Sequence, residues 1–142
     1  MNMKKLLMAT GAGFVVMFAI GGLTHLVLFK QWFLDHPGLA GNLNRAEGEG
    51  LPQFVALALL LLAFIMAYMY PKGVEGDNKI MQGLKFGLLI SVLWFLPCDL
   101  VHYAMTKAIS IEAIAMDVVL HAVEQGAGGI AIALVYGNLQ KK

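Results

Sequence analysis

Charge is what this chain has least of. Only 13% of its 142 residues are charged while 59% are hydrophobic, and the mean hydropathy is +0.73. A soluble domain carries roughly 25% charged residues, and a single soluble core of this size buries only about 70% of its surface, so the apolar surplus would face water. A lipid bilayer is the solvent that fits. Cysteine is scarcer still: Cys98 stands alone, which excludes an internal disulfide framework and paired-thiol redox chemistry. Neither sign of charge is in excess, with a net charge of +1 and a pI near 7.9, so no basic field awaits a nucleic acid. Also missing are a phosphate-cradling glycine loop after a strand, a nucleophile elbow, a Ser-His-Asp order, an HExxH zinc motif and paired ExxH motifs.

What is present is four long apolar runs. A spanning helix needs about 20 such residues, and residues 6–29, 51–70, 84–106 and 111–136 qualify. The first run follows Lys4 and Lys5 as a signal peptide would. It is too long for one and lacks a small-x-small cleavage site, so with Met1 in place it reads as an uncleaved anchor. The links between runs are too short to fold alone. The expected fold is therefore all-α: a single domain over residues 1–142, an up-down-up-down bundle of four transmembrane helices.

Lysine and arginine near the spans set the orientation. Lys4, Lys5, Lys72, Lys79, Lys85, Lys141 and Lys142 fall on one side, and Lys30, Arg45 and Lys107 on the other. Both termini are thus expected in the cytoplasm of a cell whose inner (plasma) membrane holds the protein as a multi-pass chain. Trp32, Phe33, Tyr68 and Tyr70 are placed as interfacial anchors.

The second span demands no protein neighbour, but the fourth has two committed faces. At 100° per residue, Asp117, His121, Glu124 and Gly128 form one stripe. Ala122, Gly126, Gly129, Ala133 and Gly137 form a small-residue strip on the opposite side, where another backbone can approach closely. The expected partner of that strip is the glycine-rich first span, through Gly11, Gly13, Gly21 and Gly22. The alternative is an intermolecular contact, either a homo-oligomer or docking into a larger membrane complex. The third span carries Asp99 and His102 one turn apart with Phe95 and Thr106 on the same face, and Pro97 is expected to kink it by releasing the Leu93 carbonyl.

This topology brings His25, Asp99, His102, Asp117, His121 and Glu124 to the outer half of the bilayer, at depths from roughly 6 Å to the midplane at ~1.5 Å per residue. Ionisable groups at such depth cost several kcal/mol unless paired, hydrated or neutralised, and mark sites. Imidazole with carboxylate suits a divalent transition metal such as Zn, Fe, Mn or Cu. The expected ligands are His25, Asp99, His102, His121 and Glu124, with Asp117 orienting His121 as a hydrogen-bond acceptor. Three alternatives stand beside this one. They are haem b held by two of the histidines, proton or ion handling with Glu124 as a deep acid, and a non-catalytic accessory subunit whose polar layer satisfies itself. Cys98 reads as small apolar packing. Whether the chain is an enzyme does not follow from these residues.

Three phrases carry a resemblance: Gly22-Leu23 through Phe29, Gly83-Leu84-Lys85-Phe86-Gly87, and His121-Ala122-Val123-Glu124-Gln125-Gly126. Together with the layout they resemble small four-helix bacterial inner-membrane proteins. The resemblance implies the four-helix fold and the bacterial inner membrane, and brings no activity with it.

Overall fold

A computed structural model describes residues 2–41, 49–73 and 78–137. Arg45, Lys141, Lys142 and Met1 of the sequence expectations lie outside the described residues. Five α-helices make up the fold: α1 (Met3–Leu23), α2 (Lys30–Asp35), α3 (Pro52–Met69), α4 (Lys79–Met105) and α5 (Ile111–Tyr136). A π-helical turn, Thr24–Leu28, extends α1, and a 3-10 turn, Tyr70–Lys72, extends α3. With these extensions the four long helices run 26, 21, 27 and 26 residues. At ~1.5 Å per residue each reaches the ~30 Å of a hydrocarbon core. They are long and apolar enough to cross a membrane.

The sequence explains where the helices start. Asn2, Asn78 and Ser110 cap α1, α4 and α5 by accepting hydrogen bonds from the N–H groups of Lys5, Met81 and Ala113 at 3.3, 3.0 and 3.1 Å. Each cap satisfies an amide that the helix itself cannot. Pro52 opens α3, where its missing N–H costs nothing. Gly137, at φ 69°, ends α5 in a conformation that favours glycine. The third span starts five residues before the expected 84 and runs unbroken through Pro97 to Met105. The short helix α2, inside what read as a loop, was not expected.

The helices pack as two pairs, α1 with α3 and α4 with α5, joined along α1 and α5. The small-residue strip of α5 does not meet the first span as expected. Gly126 and Gly129 lie against Leu84, Gly83 and Gly87 of α4, and a Cβ on Gly87 would strike the Gln125 carbonyl. Gly83 and Gly87 are themselves a small-xxx-small pair, so the two backbones close on one another. The strip is therefore covered by α4 at Gly126, Gly129 and Ala133, while a Cβ added to Gly137, or to Gly11 or Gly22 of the first span, would meet nothing within 4 Å. The first span instead meets the polar-stripe side of α5: Met17 covers Gly128, and Gly13 admits Ile132.

At the end holding the N-terminus of α1 and the C-terminus of α5 the core is apolar, formed by Leu6, Ala9, Met66, Ala67, Tyr70, Ala133 and Tyr136. Lys5 Nζ donates to the Tyr136 carbonyl at 3.3 Å, and Tyr136 Oη donates to that of Ala67 at 2.8 Å. Tyr70 is buried in this core, stacked on Tyr136 and edge-on to Phe86, and is not an interfacial anchor. At the other end the first and third links are tied together. The Ala40 amide donates to the Lys107 carbonyl at 2.8 Å, and Ser110 Oγ to that of His36 at 3.0 Å.

Many large apolar side chains lie on the outside, and a few polar ones lie inside. Leu7, Val15, Leu26, Leu61, Leu93, Trp94 and Val101 are exposed, while Ser91, Glu124 and Gln125 are buried.

Candidate metal centre

Each side chain of the site is delivered by a helix whose local form follows from its sequence. In the π turn after α1 the Phe29 amide reaches back to the Thr24 carbonyl at 2.8 Å. Thr24 Oγ1 donates to the Ile20 carbonyl at 2.9 Å. The Gly21 carbonyl lies 3.2 Å from His25 Nδ1. Thr24 Oγ1 lies 3.1 Å from the same nitrogen, so the α1 end holds the His25 ring through Nδ1. The other nitrogen, Nε2, points across to α5 and lies 3.1 Å from Asp117 Oδ1.

Asp117 is the centre of the group. Its second oxygen, Oδ2, lies 3.3 Å from His121 Nε2, so one carboxylate bridges imidazoles from α1 and α5. Donor atoms of His25, Asp117 and His121 all fall within 4.8 Å of one another. His121 is held on both sides. Its ring stacks on Phe95 of α4, with centroids 3.5 Å apart and planes at 15°, and the His25 ring is tilted over it at 5.1 Å. Phe33 of α2 stacks in turn on His25 at 5.7 Å.

Glu124 sits one turn deeper and is 2% exposed. Its Oε2 is 3.3 Å from His121 Nδ1, close but without hydrogen-bond geometry, while Gln125 Nε2 donates to its Oε1 at 3.0 Å. The carboxylate rests on the bare backbone of Gly21, where a Cβ would lie 2.8 Å from Oε2. Asp99 of α4 faces Asp117, with His121 and His102 as further neighbours. Its Oδ2 is buried without a hydrogen-bond partner, as is His121 Nδ1. His102, one turn on, is exposed on the outer flank of α4 and is not part of the group of donors within 4.8 Å. Cys98 is exposed as well.

Of the six residues singled out from sequence, the fold thus gathers His25, Asp117, His121 and Glu124, with Asp99 facing them. It puts Asp117 between the imidazoles, where Glu124 had been expected to be a ligand and Asp117 a supporting acceptor. Sequence reading missed Gly21, Thr24 and Phe33. The Gly21-Gly22-Leu23-Thr24-His25 run was the available signal: glycine beside a buried carboxylate, then a hydroxyl and an imidazole one turn on. No family model, no curated protein and no solved structure matches the chain.

Proposed function

We propose that this chain is a four-helix integral membrane protein that binds a divalent transition metal between α1 and α5. His25, Asp117 and His121 are the ligands and Asp99 supplies a fourth donor from α4. The observation that carries the reading is the convergence of His25, Asp117 and His121, whose donor atoms all lie within 4.8 Å of one another, with Asp117 Oδ1 3.1 Å from His25 Nε2 and Oδ2 3.3 Å from His121 Nε2. Imidazole and carboxylate together suit Zn, Fe, Mn or Cu. Phe95, stacked on His121, holds that ring in place, and the Glu124 carboxylate, 3.3 Å from Nδ1, stands where the partner of a metal-bound histidine would. The haem alternative needs an open slot between two histidines, and between His25 and His121 that space holds the Asp117 carboxylate.

Membrane insertion is supported by four apolar helices and by the many large apolar side chains exposed on their outer faces. The ties between the first and third links, and between Lys5 and Tyr136, agree with an even number of spans and both termini on one side. On the lysine count that side is the cytoplasm, which turns the metal centre toward the outer face of a plasma membrane.

Purified protein reconstituted with Co²⁺ should bind one equivalent and develop the visible absorption of a nitrogen- and oxygen-ligated ion. Asp117→Asn keeps the shape of the side chain and should weaken binding by more than about 100-fold, beyond the 10–100-fold typical of supporting residues. Wild-type protein that takes up no Co²⁺ or Zn²⁺, and holds none when isolated, overturns the reading.

A further inference from the structure

We infer a second binding site, for the phosphate headgroup of an anionic phospholipid, at the end of the bundle opposite the histidines. It rests on the membrane insertion proposed above and is independent of the metal. Because α3 packs on α1 while α4 packs on α5, a cleft of ≈ 140 Å³ remains between the last turn of α3 and the first turns of α4, lined by Tyr70, Gly73, Gln82, Lys85, Phe86 and Leu89. The order of the α4 residues is informative. Gln82, Lys85, Phe86 and Leu89 follow one helix face, polar at the helix start and apolar further in. That gradient matches a lipid: a headgroup beside Gln82 and Lys85, and an acyl chain along Phe86 and Leu89.

Charge chooses the kind of lipid. No carboxylate among the described residues pairs with Lys85, and Lys79 adds a second cation one turn before Gln82 on the same helix. Lys72, by contrast, is already engaged over the Tyr68 ring at 3.4 Å. Basic pockets between membrane helices near the cytoplasmic surface hold anionic headgroups in this way. The apolar floor made by Phe86 and Leu89 favours a lipid over a soluble phosphate compound.

Native mass spectrometry of protein released from nanodiscs of mixed phosphatidylglycerol and phosphatidylcholine tests the site. Wild type should retain phosphatidylglycerol in preference. Lys85→Gln should cut that preference about fivefold, as expected for one basic residue near the surface. Lys85→Arg should keep it, and Leu89→Trp, which fills the chain slot, should release the lipid. Lys107→Gln, at the far end, should change nothing. Equal retention of both lipids by the wild type, or an unchanged preference in Lys85→Gln, overturns the proposal. So does displacement of the lipid by inorganic phosphate, which would make a soluble anion the occupant. Protein that fails to enter nanodiscs at all refutes membrane insertion instead, a separate outcome.

Discussion

At the scale of single residues, the most consequential contact is between a glycine and a carboxylate. Gly21 leaves room for Glu124, and its carbonyl orients His25. A methyl group there meets the movable end of a side chain, so Gly21→Ala should leave the protein folded while pushing Glu124 off His121. The expected loss is 10–100-fold in Co²⁺ affinity, read by the same titration, and an unchanged affinity would mean that Glu124 does not hold His121 for the metal. The stripe of Asp117, His121 and Glu124 was legible from helical arithmetic. Which member of it faces the other helix was not, because that depends on how α1 is turned against α5. His102 shows the same limit: three residues beyond Asp99 it lies about 60° further round the helix, enough to turn it away from the group.

At the scale of elements, glycines decide which helices meet. The four long helices were legible because each follows an apolar run of about 20 residues or more. The partner of the α5 strip was misread, since both α1 and α4 carry glycines and only the spacing of Gly83 and Gly87 distinguishes them. Gly87→Ala would press a methyl group into the Gln125 backbone and should cost about 1–3 kcal/mol. Gly11→Ala, with open space around it, should gain up to about 1 kcal/mol from helix propensity. Reversible unfolding in mixed detergent micelles compares the two, and equal effects would contradict the α4–α5 packing. The π turn after α1 was not legible, because a one-residue widening leaves no mark on an apolar run.

At the scale of the whole molecule, the two ends differ in kind: a polar group bridged by one aspartate at one, and an apolar core edged by lysines at the other. The lysine asymmetry makes a directional expectation. In a Cys98→Ser background, Lys107→Cys should react with a membrane-impermeant maleimide from outside intact cells. Lys72→Cys should react only after permeabilisation. The reverse pattern would invert the proposed topology and put the candidate metal centre on the cytoplasmic side.

The pairing of helices also sets an order of assembly during synthesis. α1 and α3 can associate once both have emerged, but α4 has its main partner in α5, the last helix made. Asp117 and His121 arrive on that same helix, so His25 and Asp99 stand without their partners until α5 joins the bundle. On the proposed metal reading, an ion could be captured only by a chain whose last helix has joined the others, and a bound ion would then mark finished biogenesis.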